Sequence, residues 1–238
     1  MGIHHDGSGH ADIDLQVYNV KLSEEATPIT NQMSSGRCWL FAITNVIRTF
    51  TARKLDLGDF QYSQSFLFFY DSLSKANWFL EQMLDLADEP LDSRTVQYLL
   101  VSPENDGGQI QMAMNLVEKF GLVPQAVFVE SHNSSNSSRL NSLLTSKLRE
   151  YALDLRTAYA DARASFDEGA PRPEGEIRAL SAAAARRLKD AQLEEIYRIL
   201  AITLGAPPKP DEKFTWEYYD KKNKFHRIES TPLDFAKY

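Results

Sequence analysis

The side chains best suited to chemistry lie in one short run, Gln32-Met33-Ser34-Ser35-Gly36-Arg37-Cys38-Trp39. Cys38 is the only cysteine in 238 residues. A thiol attacks a carbonyl carbon usefully only as thiolate, and the free N–H groups and dipole of a helix N-terminus favour that form. Cys38 follows a glycine-containing loop and opens the apolar run Cys38 to Phe50, which meets that requirement. The oxyanion formed on attack needs preorganised donors. The Cys38 backbone N–H is one, and the Gln32 side-chain amide, across the loop, is the natural second. Ordinarily a lone cysteine at a buried helix start is only a small apolar residue. Here the residues around it point to a nucleophile.

These groups must be positioned by a largely helical framework. The apolar residues from Cys38 to Phe50 recur around the whole circumference, which predicts a mostly buried helix. A second helix, rich in aromatics, is expected over Ser63 to Leu86, and a third over Ser93 to Leu100. Asn105-Asp106-Gly107-Gly108 reads as a turn. Gln109 to Phe120 has helical spacing and Gly121 is its stop. The serine-rich stretch from Ser131 to Ser142 reads as a low-complexity loop. Leu143 to Phe166 and Glu176 to Leu204 read as two charged helices broken at Gly169-Ala170-Pro171-Arg172-Pro173. Phe214 to Tyr219 and Lys224 to Ile228 form an expected hairpin across Asp220-Lys221-Lys222-Asn223. A short strand is expected over Leu15 to Leu22 and a loop from Ser23 to Gly36. Residues 1–14 read as a flexible tail, and His4, His5 and His10 are assigned to that tail rather than to a metal site.

The spacing Gln-x5-Cys-Trp resembles that of the papain superfamily, and the string Thr30-Asn31-Gln32-Met33-Ser34-Ser35-Gly36-Arg37-Cys38-Trp39-Leu40-Phe41-Ala42 is similar to the bleomycin hydrolase and aminopeptidase C branch. The papain and cathepsin signature has a second cysteine three residues before the nucleophile; here that position is Ser35, and Arg37 replaces a small residue. The resemblance continues in Asn105 to Gln109, in Tyr62 to Tyr70, in Lys75 to Glu81, in Phe214 to Tyr218 and in Thr231 to Phe235. It implies an α+β papain-like fold, with this portion mostly helical. It implies Cys38 as nucleophile, Gln32 as oxyanion donor, and Gly107 and Gly108 as the backbone that pairs with an extended substrate. Lack of a Cβ suits that pairing. It further implies a papain-like subdomain over 15–134, a helical insertion over 135–205 and the start of a β-rich second half over 206–238. Peptide substrates, the amide of bleomycin and a homohexameric chamber are carried by the resemblance alone. No cofactor or metal is implied.

A thiol protease also needs a base and a group to orient it. The histidines after Cys38 are His132 and His226, and neither has the His-Ala or Asn-Ser-Trp setting of the family. Both are expected at the surface without an orienting partner. The chain is therefore expected to be an N-terminal portion that is inactive alone. The alternative is a non-catalytic paralogue that uses its helical pair for assembly.

The balance of 26 basic against 33 acidic residues, net −7, gives no support for nucleic-acid binding. No run approaches the ~20 apolar residues of a membrane span. One cysteine cannot form an internal disulfide, and a cytoplasmic setting is the expectation.

Overall fold

The computed structural model describes residues 4–5, 11–12, 29–167 and 171–238. His4–His5 (β1) pairs antiparallel with Ala11–Asp12 (β2). The strand expected over Leu15 to Leu22 lies outside the described residues.

Helix α1 spans Cys38–Lys54 and buries Trp39, Leu40, Phe41, Thr44, Arg48, Thr51 and Ala52. Its circumference is not uniformly covered, contrary to the expectation from its apolar composition. Cys38, Ala42, Val46 and Phe50, spaced four apart along one face, are exposed. Four-residue steps stay on one side of a helix, so Cys38 heads an open apolar stripe.

Helix α2, Gln64–Asp85, is the centre of the core. The Ser63 hydroxyl caps it by accepting from the Phe66 N–H at 3.0 Å, which supplies one of the acceptors a helix start lacks. Phe66, Phe68, Phe69 and Phe79 are fully buried, and each contributes about 1.5–3 kcal/mol by leaving water. Trp78, from the same aromatic run, is instead exposed. Helix α3, Arg94–Val101, is capped by Ser93. Helix α4, Ile110–Phe120, ends at Gly121, whose φ of 81° an L side chain rarely adopts. A Cβ there would also collide with the Pro232 backbone.

The serine-rich stretch is not a loop. Ser131 and Ser134 form a reciprocal capping box that starts α5, His132–Ser135, and α6 begins at once, Ser138–Asp167. Serine weakens a helix interior but favours a cap, and composition alone does not distinguish the two settings. Helix α7, Glu174–Leu204, runs beside α6, and both pack on α2. Leu144, Leu148, Tyr151, Leu155, Ile196 and Leu200 are buried there.

Strands β3, Phe214–Tyr219, and β4, Phe225–Ser230, form the expected antiparallel hairpin, with Phe214 opposite Ser230 and Tyr219 opposite Phe225. Trp216 packs on Phe60 and on Phe235 of the last short helix, α8, Pro232–Phe235. No helix among the described residues is long and apolar enough to cross a membrane.

Candidate active site

Cys38 is the first residue of α1. Arg37 precedes it with no side-chain cap, and the first turn holds no acid. The leading N–H groups of a helix have no intrahelical acceptor, so this end is open to an incoming anionic oxygen. The thiol is exposed, and its one polar contact among the described residues is with the Gly36 carbonyl at 3.9 Å.

Gln32 sits on the same loop, half-buried. Its Nε2 donates to the Ser35 carbonyl at 2.7 Å, and the Ser35 hydroxyl donates back to the Gln32 carbonyl at 2.7 Å. The pair folds residues 32–35 on themselves, and among the described residues the second amide proton of Gln32 has no acceptor. Met33, between them, is held at φ 56°, a costly value for a non-glycine residue.

The turn at 105–108 is fastened to this loop at several points. The Trp39 indole nitrogen donates to the Asp106 carbonyl at 2.8 Å. The Gly36 N–H donates to the Asp106 carboxylate at 2.6 Å, and the Ser137 hydroxyl donates to the same carboxylate oxygen. Gly108 lies against Trp39, where a Cβ would come within 2.6–2.8 Å of the indole carbons. The absence of a side chain at Gly108 is thus required by Trp39, a reason distinct from approach to substrate. Gly107 donates to the Asn105 side chain at 3.1 Å.

From behind, the Lys75 ammonium donates to the carbonyls of Asn105 and Gly107, each at 2.7 Å, and to Asp71 at 2.6 Å. It also lies 5.4 Å from the centre of the Trp39 ring. Burial pushes the Asp71 carboxyl up to about 6 against the opposing pull of Lys75. Burial likewise holds Glu104 well above the usual range. The Lys75 ammonium and the Ser72 hydroxyl oppose that rise without overcoming it. Asp106 goes the other way: burial raises it, but the bonds from Ser137 and the Gly36 N–H outweigh that and hold it below the usual range.

Arg37, in the place of a small residue, is fully buried. It reaches Glu130 at 2.9 Å and Ser35 at 2.9 Å, and its guanidinium sits over Phe41 and Phe68. The Ser34 N–H donates to the Ser135 carbonyl at 2.9 Å. The segment joining α5 to α6 therefore lies against the loop that leads into Cys38. A polar hollow of about 600 Å³ opens there, lined in part by Met33, Ser35, Gly36, Asp106, Ser137 and Asn141. A cavity of about 570 Å³ lies on the opposite side of the turn, between α2 and α4, and its lining excludes Cys38.

Among the described residues no hydrogen bond joins an imidazole to Cys38. His132 is exposed on α5. His226 does have a partner, contrary to expectation: its Nε2 lies 2.8 Å from Asp220 and its ring stacks on Tyr218. The signal was the Asp220 turn facing β4, a short-range hairpin contact. The Lys221 N–H at that turn bonds the Asp56 carbonyl beyond the C-terminal end of α1. Cys38 is at the other end, roughly 25 Å away for a helix of this length.

Sequence reading singled out Cys38, Gln32, Gly107 and Gly108, and these lie on the joined loop and turn. It passed over Lys75, Asp106 and Ser137, because the bonds that tie them to the turn and the loop span 30 or more residues of sequence. The sequence matches the Peptidase C1-like family over residues 7–238. It is 46% identical over 225 residues to cysteine proteinase 1, mitochondrial, of Saccharomyces cerevisiae, covering 94% of this chain and 43% of the relative. It is 42% identical to bleomycin hydrolase of Mus musculus, covering 93% of this chain and 45% of that protein. PepW from Lactobacillus rhamnosis superposes with a TM-score of 0.75 at 41% identity, covering 90% of this chain and 44% of PepW. The chain thus spans less than half the length of these relatives. With a papain-like peptidase as structural neighbour and that match over nearly its whole length, the chain belongs to the Peptidase C1-like family.

Proposed function

We propose that this chain is the nucleophile-bearing part of a cysteine aminopeptidase of the bleomycin hydrolase type. The observation that carries the reading is the exposed Cys38 at the open start of α1, with Gln32 on its loop and the Gly107–Gly108 turn bonded to Trp39 next door. The Cys38 thiolate attacks the scissile carbonyl carbon and forms a carbon–sulfur bond. The carbonyl oxygen becomes an oxyanion that accepts from the Cys38 N–H and the Gln32 amide. The C–N bond breaks, the amine leaves with a proton from the general acid, and water hydrolyses the thioester. Gly107 and Gly108 present the backbone that an extended peptide pairs with.

The imidazole and the group that orients it come from sequence outside these 238 residues, in the length that the relatives have in addition. The stripe Cys38, Ala42, Val46 and Phe50 is the surface that such a second half covers. Substrates are peptides with a free N-terminus and the amide of bleomycin. The complete protein assembles as a homohexamer in the cytoplasm, although the yeast relative's name places that protein in mitochondria.

The test is turnover of a fluorogenic aminoacyl amide. The purified 238-residue chain should show none. The same sequence joined to the second half of the family's domain should be active and should lose activity in Cys38→Ser. Turnover by the 238-residue chain overturns the inactive-alone reading, and activity that survives Cys38→Ser overturns the nucleophile.

A further inference from the structure

The loop that ends in Cys38 and the turn that ends in Gly108 are far apart in sequence, yet their spacing sets where an acyl group sits relative to the sulfur. The papain signature places a second cysteine three residues before the nucleophile, and this chain has Ser35 there and only one cysteine. A covalent cross-link between loop and turn is therefore impossible. The Asp106 carboxylate occupies the junction instead.

Three segments meet on this one residue. Its Oδ2 accepts from the Gly36 N–H at 2.6 Å and from the Ser137 hydroxyl. Its carbonyl accepts from the Trp39 indole at 2.8 Å. Gly36 has no room for a Cβ beside this carboxylate, and Gly108 has none beside Trp39. Ser137 is itself fixed to the loop, because its N–H donates to the Ser34 carbonyl at 3.4 Å and the Ser34 N–H donates to Ser135 at 2.9 Å. Bonds to an ionised acceptor are about twice as strong as neutral ones. Their effect is to keep the carboxylate charged.

We infer that Asp106, backed by Ser137, is a positioning residue: a non-covalent staple that fixes the Cys38 loop against the Gly107–Gly108 turn. The serine-rich segment 134–137 thereby has a function that its composition does not suggest. The inference rests on the peptidase reading for its meaning, since the spacing matters only if an acyl group bridges loop and turn.

The test compares Asp106→Ala, Asp106→Asn and Ser137→Ala in the 238-residue chain. Two alkylators are used: iodoacetamide, and alanyl-phenylalanyl chloromethyl ketone, which loses chloride to form a thioether and carries a peptide backbone. The ratio of the second rate constant to the first should fall about tenfold in Asp106→Ala, a part of the roughly 100-fold that a full 1 Å displacement at a reacting centre can cost. It should stay within about twofold of the parent in Asp106→Asn, whose amide oxygen still accepts from Gly36. Ser137→Ala should fall between them. An unchanged ratio in Asp106→Ala, or an equal loss in Asp106→Asn, overturns the staple. The Gly36 amide and Trp39 indole proton resonances are read in parallel. If the parent shows no preference for the peptidyl reagent, the acyl site does not form without the second half, and turnover by the joined chain decides the peptidase reading. The resonances then decide the staple alone, which stands if they move in Asp106→Ala or Ser137→Ala and return in Asp106→Asn, and falls if they do not move.

Discussion

The Lys75 ammonium donates to the Gly107 carbonyl at 2.7 Å, from the middle of the core helix α2 to the turn that faces the Cys38 loop. All three of its protons have acceptors: the carbonyls of Gly107 and Asn105, and the Asp71 carboxylate. The cation is therefore a strut for the turn and has no proton left over for a ligand.

Replacing Lys75 by Met keeps the aliphatic stem and removes the strut. Asp71, with its side chain only 3% exposed, is then a buried acid without its partner. Breaking a buried pair in this way costs about 3 kcal/mol. Denaturant unfolding should show that loss, and the double variant with Asp71→Asn should recover part of it. Equal stabilities for the parent and Lys75→Met would show that the strut carries no net energy.

Gly108→Ala places a methyl group where the Trp39 indole already sits. Trp39 is 93% buried, being only 7% exposed, and it cannot swing away. The turn must move, at a cost of about 1–3 kcal/mol for an overpacked site. The Trp39 indole proton resonance should shift as its bond to Asp106 is strained. Gly107→Ala meets only the Asn105 side chain, at 3.3 Å, and should be much milder. A larger effect at Gly107 than at Gly108 would contradict this packing.

Arg37→Met removes a guanidinium that is fully buried between Phe41, Phe68 and Glu130. Glu130 keeps its bond from Ser134 and is 27% exposed, so the loss should sit near the lower end for buried pairs, about 3 kcal/mol. Thermal unfolding should register this as a drop of roughly 6–12 °C at the usual 2–4 °C for each kcal/mol in a chain of this size. A Tm within a degree of the parent would mean that aromatic packing, rather than the ion pair, holds this residue.

Much of the framework was legible because its signals are local. The Ser63 and Ser93 helix starts, the Gly121 stop and the Asp220 turn each act within a few residues, and these helices and the hairpin fall where those signals put them. Cys38 and Gln32 were singled out on the same local ground, six residues apart on one loop that leads into a helix start. The struts were not. Lys75, Asp106, Ser137 and Glu130 act across 30 to 93 residues, and nothing in their immediate neighbours marks them. The exposed stripe on α1 was misread because composition shows that a helix is apolar all round but does not show which side is left uncovered.

Glu104 lies beneath the same turn and gives the region a pH dependence whose sign can be worked out. Burial raises its carboxyl well above the usual value of 4.5, and Asp71 moves from 3.8 to about 6. Between the unfolded and folded values the folded chain holds protons that the unfolded chain has released. Stability from these two groups is therefore complete below about pH 4 and is lost as pH rises through 6 and beyond. The Ser72 hydroxyl beside it opposes the rise, and Glu104→Gln keeps the size of the side chain and an oxygen for that hydroxyl while removing the titration. Urea unfolding at pH 4.5 should give matching midpoints for the parent and Glu104→Gln. At pH 7.5 the variant should be the more stable, by on the order of 1 kcal/mol or more, the scale of leaving a buried polar group unpaired. A difference of the same size at both pH values would mean that Glu104 acts through packing and not through its charge.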